Sequence, residues 1–210
     1  LNSFPTRRSS DLPSEDEQAR VYCALASAFH PHPVIIRTLD VGGDKPVAGI
    51  DFPHEDNPFL GWRGVRMCLD CPDIFKLQLR ALLRAAVIGN IKVMIPMVSD
   101  LSEVRRVRKL VEQCEAELKR EGVDCAQFEL GIMVETPAAV LQADALAAEV
   151  IFFSHGAHGL PQYVLAADSA NARIASLYCT THPAVLKSIE LTGQAARRAG
   201  IWVGVCGEAA

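Results

Sequence analysis

Gly131-Ile132-Met133-Val134-Glu135-Thr136-Pro137-Ala138-Ala139-Val140 carries a strand, a polar turning point and a helix start in ten residues. The run up to Val134 is too continuously apolar for a strand with one wet face, which is how a strand buried on both faces reads. It ends on a carboxylate. Two residues later Pro137, suited to a first helical turn, opens an alanine-rich stretch that runs through Ala148. Extended back one turn of the pattern, the strand candidate is Glu129–Val134.

The same order of events recurs on both sides. Apolar runs at Val34–Leu39, Ile91–Val98, Val150–Phe153 and Ile201–Val205, with a weaker one around Leu60–Val65, alternate with amphipathic segments. Asp73–Ile88 carries Ile74, Leu77, Leu82 and Ala85 on one side. Leu101–Glu121 sets Val104, Val107, Val111, Cys114 and Leu118 at three- and four-residue spacing, with Ser99 or Asp100 to cap it and Gly122 to stop it. Pro183–Ala199 ends at Gly200. Alternating strands and helices imply βα units and a parallel sheet. The strands end in Arg37-Thr38-Leu39-Asp40, Arg63, Pro96-Met97, Glu135, Ser154-His155-Gly156 and Cys206-Gly207-Glu208. Charged or reactive side chains at successive strand ends mark the working face of a (β/α)-barrel. A doubly wound open sheet would gather its ligand groups at one switch point, often beside a Gly-rich turn, and no G-x-G-x-x-G or Walker pattern is present. The expected fold is α/β, a (β/α)8 TIM-type barrel.

The chain has 210 residues, half of them hydrophobic, and a net charge of −4. This suits one sizeable core and argues against a nucleic-acid or membrane surface built on positive charge. The cluster Arg105-Arg106-Val107-Arg108-Lys109 falls inside a helical pattern and reads as a solvated face. No apolar run has the length to span a bilayer. Seven cysteines, an odd number lying mostly in apolar or helical segments, fit free thiols in a reducing cytoplasm. Cys68 and Cys71 form a lone C-x-x-C, read as a helix boundary because no second ligand pair follows at metal spacing. Residues 1–12 have no periodicity and read as a non-native leader, which leaves 13–210 as the barrel portion.

RTLDVGGDK at Arg37–Lys45 and NPFLGWRGVR at Asn57–Arg66 resemble the phosphoenolpyruvate-binding domain of enzyme I of the bacterial sugar phosphotransferase system. DIFKLQLRALLRAA (73–86), IKVMIPMVSDLSEV (91–104), GIMVETPAAV (131–140), FFSHGAHGLPQY (152–163) and GVCGE (204–208) extend the resemblance. It implies a Mg²⁺-dependent transfer of the phosphoryl group of phosphoenolpyruvate to a histidine on a separate domain, with a phosphocarrier protein downstream, in cytoplasmic sugar uptake. It also implies a homodimer. Residue by residue, it makes Arg37 and Arg63 the phosphate-binding arginines, with Lys45 offering a third positive charge. Glu135 becomes a magnesium ligand and Cys206 the donor of a proton to the enolate. A phosphoryl group in transfer spreads charge over its oxygens, which guanidinium forks stabilise, and magnesium takes hard oxygen ligands.

The loop after the fifth apolar run departs from the family pattern. His158 stands where the substrate-binding Asn is expected, Gly159 where a magnesium-binding Asp is expected, and Ser169 where an Arg contacts substrate. His158 and His155 are candidates for a softer transition metal, since imidazole suits zinc, iron or nickel better than magnesium; loss of use of the site is the plainer reading. Counted against the family barrel, the chain holds about strands two to seven. Six strands leave two open edges, so poor solubility is expected of the chain expressed alone. The alternatives are a non-catalytic phosphoenolpyruvate-binding regulatory paralogue and a metal-dependent lyase on the same barrel.

Overall fold

The structure, a computed structural model, describes residues 12–42, 50, 52 and 54–207. Lys45, the leader before Leu12 and Glu208 lie outside the described residues. Five strands form one sheet: β1 (Val34–Arg37), β2 (Ile91–Ile95), β3 (Glu129–Val134), β4 (Phe152–Gly156) and β5 (Trp202–Cys206). They lie side by side in chain order, every neighbouring pair parallel, as a curled half-barrel. The helices are α1 (Glu15–Phe29), α2 (Val65–Asp70), α3 (Pro72–Ala85), α4 (Leu101–Glu121), α5 (Pro137–Leu141), α6 (Ala143–Ala147), α7 (Gly159–Leu165) and α8 (Pro183–Ala199).

The helices begin and end where their chemistry dictates. Asp100 caps α4: its carboxylate accepts the Ser102 N–H at 2.7 Å, while Glu103 reaches back to the Asp100 N–H at 2.9 Å. This is a capping box, and Gly122 closes the other end in the left-handed conformation (φ 72°). Cys71 both ends α2 and precedes α3, so the C-x-x-C pair is a helix junction. The expected helix from Pro137 to Ala148 is broken at Gln142 into α5 and α6.

Strand alternation divides the sheet into two faces. Val93, Ile95, Ile132, Val134 and Phe153 point outward into the main core, where Leu79, Leu82, Leu83, Val104, Val107 and Leu146 of the helices meet them. The concave face carries Met94, Met133 and Phe152, with Cys206 against them. The Phe152 ring stacks on Trp202 at 4.5 Å, and Lys92, ion-paired with Glu129, sits over Trp202. At the two edges apolar side chains stay exposed: Ile35 at 42%, Val203 at 38% and Val205 at 46%.

The expected strand around Leu60–Val65 does not form. Pro58–Leu60 is a 3-10 turn, and α2 starts at Val65. Gly64 has φ 56° and ψ −135°, a backbone setting no strand uses, and Gly61 weakens the segment further. Among the described residues the sheet therefore has five strands, and Arg63 comes from a loop.

Candidate active site

All the groups that converge lie at the carboxyl ends of the strands. Arg37 is the last residue of β1 and Asp40 follows three residues on. The Arg63 guanidinium grips Asp40 with two nitrogens, Nε to Oδ1 at 3.1 Å and Nη2 to Oδ2 at 3.0 Å. Arg37 Nη1 stands 3.5 Å from the same Oδ2. Asp40 is nearly closed from solvent (4% side-chain exposure) and Arg63 is at 11%, whereas Arg37 keeps 45%. The Arg63 guanidinium also lies over the Phe59 ring, 5.3 Å from its centre. Burial works against the Arg63 charge, but the Asp40 hydrogen bonds and the Asp40, Tyr163 and Glu135 charges outweigh it, so its pKa is raised. One carboxylate thus fixes two guanidinium groups whose combined positive charge exceeds its own, an arrangement that favours an incoming anion.

Glu135 sits one residue past β3, inward and buried. Its Oε1 accepts the Met97 N–H at 2.7 Å. Met97 holds φ 60°, unusual for a side-chain-bearing residue, and so presents that N–H. Burial pushes the Glu135 carboxyl up to about 7; the Met97 N–H opposes this, Asp40 adds to it, and Arg63 and Arg37 oppose it. On its other side Gly159 approaches so closely that a Cβ there would lie 2.5 Å from Oε2. Glycine at 159 lets Glu135 lean into that space.

Cys206 ends β5 on the concave face, half-buried, its Sγ 3.4 Å from the His155 carbonyl. His158 is exposed at the start of α7. Its Nε2 lies 3.2 Å from Ser169 Oγ and its Nδ1 3.3 Å from the Tyr178 hydroxyl. Ser169 Oγ also donates to Gln162 Oε1 at 3.3 Å. Two of the three departures from the family pattern, His158 and Ser169, therefore touch each other. His155 points the other way, out of the sheet into α8, where Nε2 meets Thr192 Oγ1 at 2.5 Å. That hydroxyl is committed to the Ser188 carbonyl, so the ring donates. His155 and His158 lie on opposite sides of the sheet and do not converge on a metal.

The structure thus brings Arg37, Arg63, Glu135 and Cys206 to one face, with His158 on its rim. Sequence reasoning placed Asp40 and Met97 at strand ends without giving them a role, and missed Tyr163. Asp40 was visible as an acid three residues from Arg37 in an apolar setting, a group that needs a cation when buried. Neither the role of Met97 nor that of Tyr163 left such a signal. Tyr163 donates to the Phe59 carbonyl at 2.5 Å and touches Met97 Sδ at 3.4 Å. Burial raises its pKa, with Arg63 opposing.

The family model described as "PEP-utilising enzyme, PEP-binding domain" matches residues 3–210. The chain belongs to this family. Curated relatives named phosphoenolpyruvate-protein phosphotransferase include those of Geobacillus stearothermophilus, 48% identical over 96% of this chain, and Mycoplasma pneumoniae, 48% identical over 99%. The Staphylococcus carnosus protein of that name is 46% identical over 95%. The chain spans about a third of those relatives' length, 35% and 36% for the first two. Among solved structures, a citrate lyase from Burkholderia xenovorans LB400 superposes on 89% of the chain and 50% of its own, at 20% identity and TM-score 0.48. At that level it bears on neither fold nor chemistry.

As a PEP-binding domain, the site poorly fits a magnesium ion. Magnesium asks for near-octahedral hard oxygens, usually from one or two carboxylates plus substrate and water. Asp40 is consumed by two arginines and Gly159 has no side chain, so among the described residues Glu135 has no second free carboxylate beside it. Among the described residues no three His, Cys, Asp or Glu side chains are grouped to hold a metal.

Proposed function

We propose that this chain is the substrate-binding part of a phosphoenolpyruvate-protein phosphotransferase. The observation that carries the reading is the pair of guanidinium groups held by one buried carboxylate at the open end of a parallel half-barrel. Arg37 and Arg63 take the phosphate, whose three oxygens suit two forked donors better than one. Arg37, the more exposed, makes first contact; Arg63, clamped on Asp40 and Phe59, sets the orientation.

Breaking the bond between phosphorus and the enol oxygen leaves an enolate. The phosphoryl group passes to a histidine carried on another domain, and from there to a phosphocarrier protein. Cys206, on the same concave face, gives its thiol proton to the methylene carbon, so pyruvate leaves and the thiol recovers a proton from water. His158 rims the substrate carboxyl. All seven cysteines are free thiols, which supports a reducing cytoplasmic setting. No helix among the described residues is long and apolar enough to cross a membrane. The relatives carry the name of a phosphotransferase, which supports this reading over a purely regulatory binder.

Calorimetric titration with phosphoenolpyruvate tests it. Wild-type chain binds, and Arg63→Ala or Arg37→Ala each weaken binding about tenfold or more, the scale of a charge-assisted contact. Wild-type affinity retained in both variants refutes the phosphate clamp.

A further inference from the structure

Arg63 poses a positional problem, because the strand expected to carry it is a loop. Loops wander more than strands, yet an anion clamp needs its forks held to within fractions of an ångström. Besides the Arg63–Asp40 pair and the bonds from Trp62 to Asp70 and from Arg66 to Ser99, three clasps hold this loop. Arg66 Nη1 donates to the carbonyls of Leu60 and Gly61 at 2.9 and 3.1 Å. Glu55 Oε1 accepts the Trp62 N–H at 2.7 Å. Both of these are local. The third crosses the site: the Tyr163 hydroxyl, from α7, donates to the Phe59 carbonyl, and the Phe59 ring underlies the Arg63 guanidinium.

Tyr163 touches a second functional loop as well. Its hydroxyl rests 3.4 Å from the sulfur of Met97, the residue whose N–H holds Glu135. Residue 163 also follows Gly159 by four positions in α7, so the two share one face of the helix. That face looks toward Glu135 at one end and toward the Arg63 loop at the other.

We propose that Tyr163 is a positioning residue for the anion clamp, fixing the Arg63 guanidinium relative to the Glu135 carboxyl without touching the substrate. The proposal rests on the phosphate-binding reading above and adds its source of precision.

A double-mutant cycle tests it, with inorganic phosphate and phosphoenolpyruvate as probes in calorimetry on the full chain. Tyr163→Phe keeps the ring and removes only the donor, and thermal melts check that it stays folded. It should weaken both probes about fivefold, the net worth of one neutral hydrogen bond. In an Arg63→Ala background the same change should have no further effect, while in an Arg37→Ala background it should keep its full effect. A purely structural role would weaken binding alike in both backgrounds. An unchanged Tyr163→Phe affinity, or equal effects in the two backgrounds, overturns the positioning role. Wild-type chain that binds neither probe overturns the phosphate-binding reading itself, and the positioning role with it.

Discussion

Replacing Glu135 by Gln should make the protein more stable at neutral and alkaline pH while leaving it unchanged in acid. The carboxyl is buried, and its pKa stands at about 7 against an ordinary 4.5. Below pH 4.5 it is protonated in both folded and unfolded chains and contributes no difference. Between 4.5 and 7 the unfolded chain releases the proton while the folded chain retains it, so stability falls as pH rises. Above 7 the full penalty is present. A shift of roughly 2.5 units at 1.36 kcal/mol per unit comes to about 3 kcal/mol. Gln keeps an oxygen to accept the Met97 N–H and has no proton to lose. Urea unfolding of both proteins from pH 4 to 8.5, followed by circular dichroism, reads the difference directly. The two curves should coincide near pH 4 and separate by about 3 kcal/mol at pH 8, or about 6–12 °C in melting temperature for a chain of this size. A difference that stays flat across that range refutes the claim that Glu135 is desolvated and unpaired by a cation.

Other outcomes follow from the same geometry. Asp40→Asn should destabilise the fold by about 3 kcal/mol in urea unfolding, because it leaves the nearly buried Arg63 guanidinium without a counter-charge. Asp100→Ala should lower the urea midpoint modestly in the same assay through loss of the α4 capping box, with phosphate binding untouched. Thr192→Val should cost about 1–3 kcal/mol, since His155 Nε2, which faces α8, loses its buried acceptor. Light scattering should find the wild-type chain associating as its concentration rises, because Ile35, Val203 and Val205 are exposed along the two sheet edges; a monodisperse monomer at every concentration contradicts this.

Much of the fold was legible because it is written in local patterns. The ends of α4 and α8 fall where Asp100, Gly122, Pro183 and Gly200 put them, since caps and stops act within a turn. Strand ends were less sharp: β4 runs from Phe152 to Gly156, later than the apolar run Val150–Phe153 suggested, because pairing with β3 and β5 sets its length. The run from Leu60 to Val65 was misleading for a related reason. Its apolar residues resemble a strand, but Gly64 turns the chain and Arg63 is drawn to Asp40, 23 residues away. Of the site, the groups that carry charge or a thiol at strand ends were readable. Of the parts that hold them, Asp40 showed in its three-residue spacing from Arg37, but Met97 behind Glu135 and Tyr163 across from Phe59 depend on contacts between distant segments that no spacing encodes. The orientation of His155 likewise follows only from which side of β4 faces α8.

The proposed phosphate clamp of Arg37 and Arg63 lies beside Glu135, where Gly159 offers no second carboxylate for a divalent cation. Titration of wild-type chain and Gly159→Asp with phosphoenolpyruvate, each with and without Mg²⁺, tests both halves together. A carboxylate at 159 must displace the free end of Glu135, which a flexible side chain allows, and it supplies a second hard oxygen donor. Wild-type affinity should be the same with and without Mg²⁺, and that of Gly159→Asp should rise about tenfold or more when Mg²⁺ is added. Wild-type binding that depends on Mg²⁺ to that extent, or no binding by either chain, contradicts it.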